Sequence, residues 1–380
     1  ATLDARIAAL EQALIGAASD PSSDTRLVTV VSRLNDLAGT LRSDSAAIRQ
    51  ERERADAAIA TEVRTLNTSL RQVEELNSQI SRARVAGEDA LGLIDERQRV
   101  IDRISAIVPV REVERDRGMV ALFTTTGLTL VDGRAAEVGF VPTPTIIADM
   151  TFAGGALGGL ALNGQVVPGG GAAGRITGGT LGANFALRDE VLPGQQAALD
   201  AVARDLLARF ADPAVDPTLL PGDPGLLTDG GGPFDPLDEV GLAGRVGVNA
   251  AVDPALGGAL HRLRDGVNAA VAGPVGQGRQ IDAWLDSLVA QRPLAGGGTT
   301  RSAAGHAAAM AAGLGATRLE TETSVGFSAA RFNGLRESEL ALGVDTDAEM
   351  QALLLIEQSY AANARVIETV DFLIRRLMEI

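Results

Sequence analysis

Two histidines, His261 and His306, are the only side chains of the 380-residue sequence whose ordinary titration falls near neutrality. Either could serve as a general base only beside a nucleophile, and no G-x-S-x-G elbow or cysteine is present. His261 lies in Leu260-His261-Arg262-Leu263 with Asp265 nearby, and His306 in an alanine run. Both read as surface or packing positions. Gly169-Gly170-Gly171-Ala172-Ala173-Gly174 fits G-x-G-x-x-G, but it follows Pro168, and Arg175-Ile176-Thr177-Gly178-Gly179 opens no helix. The dinucleotide context therefore fails. Asp229, Asp235, Asp238 and Glu239 invite calcium, yet lack EF-hand spacing and read as a solvated acidic loop. Asp345-x-Asp347-x-Glu349 places acid at a helix start, where the macrodipole favours it.

All 34 basic residues are Arg. Without Lys there is no P-loop lysine and no Schiff base. Without Cys there is no disulfide, thiolate zinc site or iron–sulfur cluster. The sequence thus predicts no catalytic, metal or cofactor-binding residue and no cofactor. A net charge of −15 argues against nucleic acid or anionic lipid as partner. The acid is concentrated in residues 188–240, with 3 Arg against 11 acidic residues. No apolar run reaches 18 residues, so no membrane insertion is expected. Ala1 to Arg6 lack a basic and then apolar leader, so no cleavable signal peptide is expected. No initiator Met is present, and Ala1 is expected to be an internal cut. Aromatic residues make up only 3%. Abundant Ala with few rings suits close helix packing, and Trp284 is expected between helices.

The elements needed to position any site are mainly helical. Residues 3–18 carry Leu3, Ile7, Leu10 and Leu14 on one face. Asp20-Pro21 reads as a cap followed by the first helical position of a long helix. In that helix Leu27, Leu34, Leu41, Ile48 and Ala55 recur every seven residues. The phase then slips by four, and Ile59, Val63, Leu66, Leu70, Val73, Asn77 and Ile80 form the bundle seam. The mixed-sign run Arg49-Gln50-Glu51-Arg52-Glu53-Arg54 reads as a solvated face. Gly87 closes the helix, and a shorter one follows at 90–106.

At Pro109 the period changes. Val110–Val113, Val120–Phe123 and Leu128–Val131 read as strands, the last ending in an Asp132-Gly133 turn. Apolar runs at 136–141, 145–152 and 158–167 continue the unit. A helix is expected at 181–211. Residues 212–240, with Asp-Pro at 212–213, 216–217 and 223–224, read as loop, neither strand nor helix. Helices are expected around 278–291 and from 300 to 341. The fold class is mainly α with a β insert: a long coiled-coil-like helical bundle plus a small Gly-rich β domain. The expected parts are the long-helix part at 1–108, the β domain at 109–179 and a returning helix at 180–211. Gly/Pro-rich acidic loops at 212–257, the bundle completion at 258–344 and the C-terminal helix at 345–380 follow.

That last helix opens on a capping box, Thr346-Asp347-Ala348-Glu349. Leu353, Tyr360, Ile367 and Ile374 form one heptad row, and Ile356, Asn363, Val370 and Leu377 the other. Such a seam takes a coiled-coil partner or packs on its own domain; its extension to Ile380 favours a partner. Asn363 is the polar seam position that can set register.

Several segments resemble a known family. Gly343-Val344-Asp345-Thr346-Asp347-Ala348-Glu349-Met350 and Gln358-Ser359-Tyr360-Ala361-Ala362-Asn363-Ala364-Arg365-Val366-Ile367 are similar to the terminal helix of bacterial flagellar axial proteins. Leu76-Asn77-Ser78-Gln79-Ile80, Leu93-Ile94-Asp95-Glu96-Arg97-Gln98, Gly127–Gly133 and Gly178–Gly182 with Arg188-Asp189 and Leu192-Pro193 narrow the resemblance to the hook-associated protein 1 family. The sequence departs from it after Phe210, where Ala211-Asp212-Pro213 follows, and lacks the family's N-terminal helical segment. The resemblance therefore implies a chain that continues before Ala1.

It further implies a non-enzymatic subunit joining hook to filament outside the cell, exported by the type III route without a cleaved signal. Implied partners are the flagellar hook protein, hook-associated protein 3, an export chaperone on the C-terminal helix, and further copies in a junction layer. Helices would carry the axial contacts and the β unit would face outward. The alternative is a secreted coiled-coil adhesin or effector presenting its acidic Gly/Pro-rich region to a ligand.

Overall fold

A computed structural model describes residues 2–167 and 178–342, with side chains described through 338. Its spine is α2 (Asp24–Ala86), a single helix of 63 residues. It starts later than Asp20-Pro21 suggests. Ser23 is the extended residue before the first turn, while the Asp20 carboxylate accepts the Ser22 hydroxyl at 2.7 Å. Local side-chain bonding of this kind competes with a helix cap. At the other end Gly87 takes the left-handed conformation, φ 76°, that closes helices. α1 (Leu3–Ser19) folds back along α2, and Arg6 meets Asp36 at 3.5 Å.

Two hydrophobic cores share this spine. The first takes Leu27, Leu34, Leu37 and Leu41 of α2 with α1, α5 (Leu192–Phe210) and α7 (Arg279–Val289). It also takes the start of α8 (Ala303–Leu342), through Ala303 and Ala307. The second takes Ile59, Val63, Leu66, Leu70 and Val73 with α3 (Leu91–Ile107), α4 (Gly179–Ala186) and the strands. Each fully buried Leu or Val contributes about 1.5–3 kcal/mol relative to exposure. The four-residue phase slip falls where α2 leaves one core for the other.

β1 (Val110–Glu114), β2 (Val120–Thr124), β3 (Thr129–Asp132) and β4 (Arg134–Ala135) form an antiparallel sheet in chain order. Asp132 pairs with Arg134 across Gly133, whose φ of 75° suits glycine and makes the expected turn. β5 (Val138–Phe140), β6 (Leu160–Leu162) and β7 (Gln165–Val166) make a second sheet. The 145–152 run forms no strand; it is turns whose carbonyls serve Arg52 of α2.

The helix expected at 181–211 is present but interrupted. α4 passes through a π turn, Leu187–Val191, into α5. Pro193 lacks the N–H that would bond back to Asp189, which favours opening the preceding turn. The acidic tract contains strand after all: β8 (Leu227–Asp229) pairs antiparallel with β9 (Val246–Val248), Asp229 opposite Val246. Its Asp-Pro steps are ordered locally. Asp212, Asp216, Asp235 and Asp253 each accept, at 2.9 Å, the N–H two residues on. Proline fixes φ and the aspartate closes an Asx turn. α6 (His261–Asp265) leads toward α7.

The chain divides into two units, residues 1–310 and 311–380. In the second, positions 311–338 of α8 are helical and exposed.

Candidate functional site: a buried arginine layer on the spine

The run that reads as a solvated face, residues 49–54, is exposed at Arg49, Gln50, Glu51 and Arg54 but turns Arg52 inward. Arg52 is 2% exposed. Its guanidinium donates to the carbonyls of Arg188 at 3.1 Å, Ile147 at 3.1 Å and Met150 at 2.6 Å. The 145–152 segment thus lends its backbone acceptors to α2, which is why it cannot pair as a strand. Burial pulls the Arg52 pKa down. Glu53 accepts the Ile146 N–H at 3.2 Å.

One turn along, Asp56 accepts Arg188 at 2.6 Å and the Thr143 N–H at 2.7 Å. Arg188, delivered by the π turn, also binds both Asp189 oxygens at 2.8 Å and the Gly158 carbonyl at 3.0 Å. Its guanidinium lies 4.9 Å from the Phe185 ring centre and 5.8 Å from that of Phe140. Burial is the largest single influence on Arg188 and lowers its pKa. Hydrogen bonds and charge from Asp189 and Asp56 together outweigh it, and the net shift is upward. The pair is fully buried at both ends.

Toward the first core, Ser45 donates to Gln196 at 3.1 Å, and Gln196 to Asp200 at 2.9 Å. Asp200 also accepts the N–H groups of Gly241 and Ala243, both at 2.8 Å. Burial raises its pKa despite these donors. A folded-state pKa above the unfolded one means that the fold holds the extra proton. The stabilisation is present below the unfolded pKa and is lost as pH rises through the folded one. Asp200→Asn is therefore expected to remove that slope from urea midpoints measured against pH. It also costs about 1–3 kcal/mol, because one of the converging donors meets an amide N–H₂. Parallel pH curves for variant and wild type would show that no such shift exists.

The second core is closed by α2 side chains acting as strand mimics. Asn67 bonds both backbone groups of Val138, at 2.7 and 2.8 Å, and Asn77 both groups of Val120, at 2.8 and 3.1 Å. Arg97 donates to Asn77 at 2.9 Å. The polar seam position therefore clamps β2. Ile59, Val63, Leu66, Leu70, Val73 and Ile80 are buried. All but Ile80 pack within the second core, against α3, α4 and the strands of the same chain.

Elsewhere Arg209 donates to the carbonyls of Ser287, Ala290 and Arg301 and pairs with Asp205 at 2.6 Å. Trp284 is buried as expected, edge-on to Phe210 at 5.8 Å, and donates to the Leu263 carbonyl. His306 is buried against the Arg292 carbonyl at 2.7 Å, and His261 is half-buried. The four carboxylates weighed for calcium are taken up by arginines or by their own turn. Asp229 and Asp238 pair with Arg245, Glu239 pairs with Arg204, and Asp235 caps its own turn. No group of three or more potential metal ligands occurs among the described residues. None of their helices is long and apolar enough to cross a membrane. Leu353, Ile356, Tyr360, Asn363, Ile367, Val370, Ile374 and Leu377, and the Gly169–Gly174 run, lie outside the described residues.

Sequence reasoning misses Arg52, Arg188 and Arg209. A signal for Arg52 is present: Val31, Ala38, Ser45, Arg52, Ile59, Leu66, Val73 and Ile80 form an unbroken seven-residue row, every member buried. An arginine on a buried row must find acceptors.

A family model of the flagellar hook-associated protein FlgK helical domain matches residues 1–216, more than half of the chain. Flagellar hook-associated protein 1 of Salmonella typhimurium is 28% identical over 128 residues, 33% of this chain and 23% of that protein. Its counterpart in Escherichia coli K12 is 27% identical over the same shares. The structure of the flagellar hook junction protein FlgK from Burkholderia pseudomallei is 21% identical, covering 60% of this chain and 41% of that one, with a TM-score of 0.48. The matched segment spans less than a quarter of these curated relatives' length.

Proposed function

This chain belongs to the flagellar hook-associated protein FlgK family, and from that premise we propose that it is a structural axial subunit at the hook–filament junction of a bacterial flagellum. The observation that carries the reading is the match of the helical domain across 1–216, the segment that contains the spine, the β insert and the arginine layer. A subunit under axial load needs one long rigid element with its neighbours fixed to it. The arrangement around α2 supports that role.

In this reading the subunit contacts the flagellar hook protein on one side and hook-associated protein 3 on the other, with further copies of itself in the layer. It is exported without a cleaved signal peptide, and a chaperone covers residues 345–380 until assembly. An exposed amphipathic seam otherwise aggregates. The parts expected at 1–108, 109–179, 180–211, 212–257, 258–344 and 345–380 stand as its proposed domain plan. A secreted adhesin is not favoured, because the family match covers the helical spine and the β insert and reaches only residues 212–216 of the Gly/Pro-rich loops.

Deleting the gene is expected to leave hooks intact and remove filaments, with the full-length gene restoring them on electron micrographs. Normal filaments on the deletion strain would overturn the proposal.

A further inference from the structure

The turn that supplies Arg52 with carbonyls is closed by a thioether. Met150 is half-buried, and its sulfur accepts the Ile147 N–H at 3.4 Å. The main chain returns the contact, with the Met150 N–H donating to the Ile147 carbonyl at 3.2 Å. Ile147 and Met150 are thus tied twice, once through backbone and once through sulfur. The same turn serves the spine. Arg52 donates to the Ile147 carbonyl at 3.1 Å, the Ala148 carbonyl at 3.3 Å and the Met150 carbonyl at 2.6 Å. Among the described residues, Met119 and Met310 offer their sulfurs to no hydrogen bond, and Met310 packs against the first core instead. Met350 and Met378 lie outside the described residues.

A thioether is the one group in this turn that a mild two-electron oxidant converts. Ile147 is 49% exposed, so solvent reaches the turn. A sulfur lone pair attacks one oxygen of a hydroperoxide, and the O–O bond breaks as the S–O bond forms. With hydrogen peroxide, the proton on the transferred oxygen passes to the departing hydroxide, leaving sulfoxide and water. Sulfur gives up two electrons and the peroxide takes them.

The product does not fit the turn as built. Across the 3.4 Å gap, an oxygen carried by the sulfur and aimed at the Ile147 N–H falls well inside the about 2.7–3.2 Å of an N–H···O bond. The sulfoxide must swing away or force the turn open, and either movement takes the acceptor from Ile147. Arg52 is 2% exposed, so each carbonyl that withdraws with the turn leaves a buried donor open. We propose that Met150 is an oxidation site, at which a hydroperoxide loosens the Ile147–Met150 turn from Arg52 and weakens the arginine layer. The change is reversible, because sulfoxide reductases return methionine. It does not depend on where the chain assembles and stands apart from the axial-subunit reading.

The test uses the full chain with Met119, Met310, Met350 and Met378 each replaced by Leu, so that Met150 is the one left of the five methionines. Leu is close to Met in volume, and the fold tolerates such exchanges. The protein is treated with hydrogen peroxide until mass spectrometry finds Met150 as the sulfoxide. Exchange of the Ile147 and Met150 amides is then expected to quicken about tenfold or more, and the urea midpoint to fall. Reductases for both sulfoxide epimers should restore both readings. Adding Met150→Leu to the same chain should make amides and midpoint indifferent to peroxide. Unchanged protection with Met150 fully oxidised would overturn the proposal. So would an equal response in the chain carrying Met150→Leu, or a Met150 that stays reduced in folded protein while free methionine in the same tube is consumed.

Discussion

Replacing Arg188 with Met lowers the unfolding free energy of the 1–310 unit by about 3–5 kcal/mol, the usual cost of removing one partner from a buried ion pair. The change leaves Asp56 and Asp189 without their cation and the Gly158 carbonyl without its donor. It also removes the charge that lies beside the Phe140 and Phe185 rings. Removing both charges at once, in Arg188→Met/Asp56→Leu, is expected to cost less than the sum of the single changes. The residues interact directly, and the double variant strands one charge fewer. Urea unfolding of the three variants checks this; a loss below about 1 kcal/mol for Arg188→Met would mean the layer is not structural.

Arg209→Lys, a change that keeps the charge, is expected to cost about 2–4 kcal/mol. The planar guanidinium reaches the Asp205 carboxylate and the carbonyls of Ser287, Ala290 and Arg301 together. A single ammonium cannot span that set, so buried acceptors are left open. Trp284, the chain's single tryptophan, packs on the neighbouring Phe210 and reports the loss directly by fluorescence. An unmoved midpoint would show that charge alone suffices at this position.

Periodicity decides which of these features the amino-acid sequence makes legible. The helices and the first three strands announce themselves through apolar residues at 3.6- and 2-residue spacing, and Asp132-Gly133 through its turn chemistry. The phase slip near Ala55 is visible too, although only the folded chain shows that it marks the passage from one core to the other. The arginine layer is hidden because its acceptors are carbonyls far along the chain: Arg52 reaches Met150 across 98 positions. Charge composition argues for solvent there, and non-local hydrogen bonding overrules it. β8 and β9 are hidden for a different reason. They are three-residue strands within an Asp/Gly/Pro tract, too short for alternation to register. The acidic loop looks like surplus charge because its arginine partners, Arg204 and Arg245, lie up to 35 residues away.

A subunit that transmits axial load needs its two cores to behave as one body, and the buried layer at Arg52, Asp56 and Arg188 is what joins them along α2. The direct measurement is residue-resolved hydrogen exchange of the β2 amides of Ala121 and Leu122, followed beside Trp284 fluorescence through a urea titration. Wild-type protein should lose both signals at one midpoint, and Arg188→Met should lose the β2 protection first. Separate midpoints in the wild type, or coincident ones in the variant, would contradict the joined-core structure.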